Sequence, residues 1–434
     1  MMDQSPVMPQ AASRPNAHAI LLMVMAALAL QEAALVHTLY SYRVLGEPPE
    51  LWFRALAWSP ILLAMVAYLN ARVVRVASRW KPILALFMIV TLLGLSLGWL
   101  NHRETRYFFG DFLRFLMPWV TFFLSLQALT TLAFSQGRRP LLRYFDLFLA
   151  LAVFDACVTM VAGYLYPGLH VSNWFFMFGV AWALMDDRHG SLVTLSVLAL
   201  CIVAAIMSAK RANLFLVAFT FVGSLLYFPI CLRRVPPNLG RTCAIVVIAV
   251  LFVLTSRSGS GRAGLVQSAL NTGRQLANAV RGDYDRSYQF RANEVANIRD
   301  FYRDNRRWLA TGLGFGCEIP MIHNTGPLAA TASGNMHHVH KGFWVYLLRN
   351  GLLGVALLAA FSVTIAQMSF SLNKVDLRVR NQVVACLTYA LGRIIAAYGG
   401  NLMLENLDLP VVAALAYGLT VCPSHDIEGD RQRC

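Results

Sequence analysis

Three histidines fall within four residues, His337, His338 and His340, in GNMHHVHKGFWVYLLRNGLLG, where a polar segment gives way to an apolar one. An imidazole titrates near neutrality, so a histidine there suits proton transfer from a hydroxyl. Metal binding is a second use. The trio has no i, i+4 pair, however, and its segment offers no obvious carboxylate to complete a site, so no metal is expected. Interfacial hydrogen bonding is the third. His340, closest to the apolar helix, is the candidate base.

Cations supply the other half of a possible chemistry. Lys210 and Arg211, in SAKRANLFL, interrupt an apolar stretch running from Ser191 to Leu232, which leaves almost no loop to carry them into water. Charges at that depth need a counter-anion, and no nearby Asp or Glu provides one. An anionic ligand is one answer, and snorkelling to lipid phosphates is the other. Arg291 lies at the centre of the apolar face of a helix expected from about Gln289 to Leu309, with Val295, Ile298 and Tyr302. A cation on a packing face calls for a ligand or an ion pair. The D-x-D pair Asp283 and Asp285 in GDYDR has oxygen ligands for Mg²⁺ or Mn²⁺, although a solvated turn suits so basic a segment better. The glycines of TGLGFG, residues 311–316, suggest a tight turn. With no strand before them they do not form a dinucleotide fingerprint.

The elements that must position these residues are apolar. The 434 residues are 57% hydrophobic and 14% charged, with mean hydropathy +0.55, against about 25% charged for ordinary soluble chains. Runs of roughly 20 apolar residues match the ~30 Å hydrocarbon core, so the expected fold is an all-α polytopic membrane protein. Twelve spans are expected, near 18–40, 53–70, 82–100, 112–135, 142–166, 171–185, 190–209, 212–232, 242–255, 342–371, 382–402 and 404–422. Lys and Arg crowd alternate short loops: Arg72, Arg75, Arg79 and Lys81; Arg138, Arg139 and Arg143; Arg188; Arg233, Arg234 and Arg241; Lys374, Arg378 and Arg380. These loops read as cytoplasmic, as do both termini, which leaves the long polar segment external. The expected organisation is an N-terminal bundle over 1–255, an external loop over 256–341, C-terminal spans over 342–422 and a cytoplasmic tail over 423–434.

The loop's first part, Arg262–Gly282, has the spacing of an interfacial amphipathic helix. The net charge of +15 is scattered between spans, so topology rather than nucleic acid accounts for it. Eight cysteines form no CxxC pattern or disulfide framework. The first 17 residues lack the basic region and cleavage site of a removable signal, so the first span is expected to remain. Arg114, Asp155, Arg349, Arg393, Glu405 and Asp408 are charges within or beside the spans, available to line a cavity or to pair with one another.

The intramembrane SAKRANL, an external segment with Arg291 and Trp308, the GLGFG turn and a histidine eleven residues before GLLG resemble the O-antigen ligase and polymerase family of bacterial envelope glycosyltransferases. The resemblance covers about residues 190–360, and the rest only by helix count. It implies a GT-C-like helical bundle with one large periplasmic loop in the inner membrane. Among relatives, the single large loop and short tail look most like the ligase. By that resemblance, the enzyme moves a polysaccharide from undecaprenyl pyrophosphate, the donor, to a sugar hydroxyl of lipid A-core, the acceptor, with membrane lipids around both. Arg211 and Arg291 with Lys210 would hold the pyrophosphate in place of a metal, so no cofactor is implied. His340 would deprotonate the acceptor, and direct displacement would invert the anomeric centre. His337, His338 and Arg114 would contact substrate. The family's usual His-Asn is His340 and Lys341 here, so His337 and His338 also stand as candidate bases. A polymerase, using a second lipid-linked glycan as acceptor, and a transporter of an anionic lipid-linked substrate are the alternatives.

Overall fold

The computed structural model describes residues 14–40, 59–66, 78–102, 107–165, 175–207, 220, 238–241, 243–244, 286–325, 334–337, 339, 341–372, 375–399 and 407–422. Of these residues 85% are helical. In chain order the helices are α1 (Arg14–Tyr40), α2 (Lys81–His102), α3 (Phe108–Gln136), α4 (Arg138–Leu165), α5 (Phe176–Met185), α6 (Ser191–Met207), α7 (Arg286–Asp304), α8 (Gly342–Phe370), α9 (Leu377–Gly399) and α10 (Asp408–Val421), with a further helical stretch at 59–66. A two-stranded antiparallel pair, β1 (Ile319–Pro320) and β2 (Asn335–Met336), lies between α7 and α8, with Ile319 opposite Met336.

Among the described residues, four helices are long and apolar enough to cross a membrane: 78–102, 108–136, 138–162 and 342–370. A helix satisfies its own backbone hydrogen bonds, which is what hydrocarbon demands. This is a helical membrane protein. The spans expected near 18–40, 82–100, 112–135, 142–166, 190–209, 342–371, 382–402 and 404–422 coincide with α1, α2, α3, α4, α6, α8, α9 and α10 to within several residues. Most of the residues near 53–70, 212–232 and 242–255 lie outside the described residues.

Helix α3 is the axis, packed against α1, α2, α4 and α10. In its most apolar stretch 72% of the residues are buried, against 33%, 39% and 44% in the other three long helices, which therefore present one side outward. Leu92 and Leu100 on α2, Phe154 and Val161 on α4, and Val363 and Phe370 on α8 point away from the bundle. In water such a surface is a liability, and against lipid it is the expected exterior. Inside, Trp80, Phe87, Trp119, Phe122, Phe361 and Tyr417 form an edge-to-face and stacked aromatic cluster joining α2, α3, α8 and α10.

Buried charges tie the rest together. Arg393 on α9 donates from Nε to Asp408 at the start of α10 at 3.0 Å, and the Tyr389 hydroxyl bonds the same carboxylate. Asp155, within α4, accepts the Phe176 N–H at 2.9 Å. Helix α5 therefore begins against a carboxylate inside the bundle, which complements the positive end of the helix dipole.

Candidate functional site

The apolar run over 342–371 predicts one membrane-spanning helix. The structure keeps that extent but breaks α8 at Gly351, whose φ of 61° and ψ of −156° are open only to glycine. A break inside an apolar helix frees carbonyls before it and N–H groups after it, and each needs a partner. The GLGFG turn supplies them. Leu313 N–H donates to Leu348 O at 3.0 Å and Gly314 N–H to Arg349 O at 2.9 Å. In return, Leu352 and Leu353 N–H donate to the carbonyls of Leu309 (2.8 Å) and Ala310 (3.2 Å). The Tyr302 hydroxyl on α7 takes the Leu347 carbonyl at 2.7 Å, and burial raises its pKa, so it stays a donor. The turn also reaches the bundle axis, since Phe315 N–H donates to Gly94 O on α2 and Gly316 N–H to the Asp111 carboxylate on α3 at 3.1 Å. Gly314, at φ 90°, lies so close to α2 that a Cβ there would sit 2.3 Å from Gly98 N.

A cluster of ionisable groups is built on this junction. Arg349, on the last turn before the break, donates from Nη2 to Asp111 Oδ1 at 2.7 Å, with side-chain exposures of only 6% and 1%. His337 follows β2 directly. Its Nδ1–H donates to the Cys317 carbonyl at 3.0 Å, its Nε2 lies 3.5 Å from Asp111 Oδ1, and its ring stacks on Tyr107 at 3.7 Å. Among the described residues nothing approaches His337 Nε2 as a closer hydrogen-bond partner than Asp111. Arg114, half-buried three residues after Asp111, adds positive potential at that carboxylate. His102, at the end of α2, bonds the Leu313 backbone and feels both Glu318 and His337. The neighbouring Cys317 thiol is pushed up to about 12, chiefly by burial, so it is a packing group rather than a nucleophile.

Helix α7 closes the site. Val295, Ile298 and Tyr302 are buried and Arg291 is half-buried on the same face. Asn297 fastens the following loop, accepting from Ile322 and His323 N–H at 3.0 and 2.7 Å and donating to His323 O. Asp300 accepts from His323 Nε2 at 2.8 Å, and that bond holds its carboxyl below the usual range.

Of the residues singled out in the sequence, His337, Arg114 and Arg349 gather around Asp111, and Arg291 lies on the helix packed against β1 and α8. Lys210, Arg211, His338 and His340 lie outside the described residues, as do Asp283, Asp285 and the 262–282 segment. His340 is flanked in sequence by the buried Val339 and by Lys341, which precedes α8. Asp111 and Tyr107 went unnoticed in the sequence. The available signal was a carboxylate three residues from Arg114 at the start of an apolar span, a costly place for an unpaired acid.

Chemically, the cluster holds one buried carboxylate between a guanidinium and an imidazole, with a second guanidinium nearby. It sits beside the break in the apolar helix α8, at the start of the sequence segment that holds the three histidines. Such a place suits an anionic headgroup and a proton transfer. Among the described residues no group of three metal-ligating side chains converges. The fold and the cluster define a helical membrane protein with a broken-helix polar centre. No family model matches the chain, and no curated protein matches it.

Proposed function

We propose that this chain is a membrane glycosyltransferase of the O-antigen ligase kind. It moves a polysaccharide from undecaprenyl pyrophosphate to a sugar hydroxyl of lipid A-core at the periplasmic face of the inner membrane. The observation that carries the reading is the Asp111, Arg349 and His337 cluster, seated on the break in α8 and leading directly into the segment that holds His338 and His340. Irregular backbone and buried charge at membrane depth persist where they serve a ligand or line a cavity.

In this reading the twelve-span bundle has both termini in the cytoplasm and residues 256–341 in the periplasm. Arg211 and Arg291 with Lys210 neutralise the departing pyrophosphate, work that guanidinium forks perform without a metal. His340 takes the proton of the acceptor hydroxyl as it attacks the anomeric carbon. The new C–O bond forms as the bond to phosphate breaks, and the anomeric centre inverts. His337, His338 and Arg114 line the approach.

Purified protein in detergent, given lipid-linked oligosaccharide and lipid A-core, should form the joined product in the presence of EDTA. Failure with a donor that a known transferase consumes would overturn the assignment. A polymerase would instead join two lipid-linked glycans, and deletion of its gene would leave a single repeat on core.

The break in α8 also favours a second reading, because discontinuous helices build the substrate sites of transporters. A transporter would move the lipid-linked substrate across vesicles without forming a glycosidic bond.

A further inference from the structure

Asp111 Oδ1 is shared. It accepts from Arg349 Nη2 at 2.7 Å and lies 3.5 Å from His337 Nε2, while Oδ2 of the same carboxylate accepts from Gly316 N–H. A backbone carbonyl only accepts, so the 3.0 Å bond to Cys317 O places a proton on His337 Nδ1. The neutral ring then turns the lone pair of Nε2 toward a carboxylate, two acceptors facing each other, whereas the imidazolium turns an N–H toward it. Only the charged ring can therefore direct an N–H from Nε2 at Asp111 Oδ1, 3.5 Å away. Tyr107, the Cys317 carbonyl, Asp111 and His102 surround His337; Arg349 and Arg114 act on the Asp111 carboxylate, and Glu318 on His102.

We infer that Asp111 is a positioning residue: its carboxylate, 3.5 Å from Nε2, fixes the protonation and orientation of His337, the residue at which the chain leaves β2. The hydroxyl-deprotonating chemistry belongs to the proposed function, on which the catalytic part of this inference rests. The effect on His337 itself does not depend on it. Carboxylate–histidine couples of this kind act by orientation and charge, without the acid itself taking the proton.

Asp111→Asn keeps the shape and the acceptor for Gly316 N–H but removes the charge. In protein with isotope-labelled histidine, with the His337 resonance assigned from His337→Gln, Asp111→Asn should weaken proton binding to His337 at least tenfold. An unchanged titration overturns the inference, whatever the protein's activity. Should Asp111→Asn fail to fold, the neutral pair Asp111→Asn with Arg349→Met decides. If Asp111 merely balances Arg349, the pair restores both the unfolding midpoint and glycosyl transfer. A positioning role predicts a midpoint close to wild type with transfer still reduced at least a hundredfold and a displaced pH profile. If wild-type protein shows no transfer, the proposed function fails while the histidine titration still tests Asp111.

Discussion

Replacing Gly351 by alanine asks whether the break in α8 is built in or merely tolerated. At φ 61° and ψ −156° a residue with a Cβ is strained by about 1–3 kcal/mol. The added methyl would lie 2.4 Å from Gly312 N and 2.5 Å from the Ala310 carbonyl, so strain is not the only term. Either the GLGFG turn withdraws, or α8 straightens through the position. Both routes threaten the four backbone bonds that join 309–314 to 348–353, each worth about 0.5–1.5 kcal/mol net. Losing two of them brings the total to roughly 2–6 kcal/mol. Thermal unfolding followed by tryptophan fluorescence in detergent reads this directly. Gly190→Ala is the control, because a Cβ there meets nothing within 4 Å and its midpoint should stay near wild type. If Gly351→Ala unfolds where the wild type does, the turn does not depend on the break and the reasoning is refuted.

Arg393→Met should destabilise the protein by about 3–5 kcal/mol by stranding the buried Asp408; adding Asp408→Asn should recover most of the loss in the unfolding midpoint. The exposed loop at 321–323 should be protected from amide exchange at neutral pH. Because Asp300 is held below its ordinary value of about 3.9, its contribution is present above that pH and lost as pH falls through the folded value. Exchange there should therefore accelerate, relative to α7, below about pH 4. Cys317 is buried with its thiol pushed up to about 12, so maleimide at pH 8 should label it only after denaturation, whereas labelling in the folded protein would contradict its packing against the turn.

The helices were the most legible part of the sequence because apolar length is a local property. The face of α7 was legible for the same reason: Val295, Ile298 and Tyr302 repeat at helical spacing and are buried, with Arg291 among them. The break at Gly351 was not, since a lone glycine in an apolar run is compatible with a continuous helix. What opens α8 is the docking of 309–316, a long-range contact invisible to periodicity. Helix α5, expected from 171, is assigned from Phe176, where Asp155 of another helix receives its first N–H. Asp111 was missed because a single acid near a span's end reads as an interfacial group. Its partners, Arg349, His337 and the Gly316 N–H, are supplied by distant parts of the chain.

In the proposed function, the polar centre on the broken helix receives a lipid diphosphate. A structure of the protein with undecaprenyl pyrophosphate bound tests it most directly. The diphosphate should lie within hydrogen-bonding distance of Arg291 and Arg211 and beside the 337–340 segment. A headgroup seated elsewhere on the bundle, with Arg291 and the histidines facing away from it, would contradict the account.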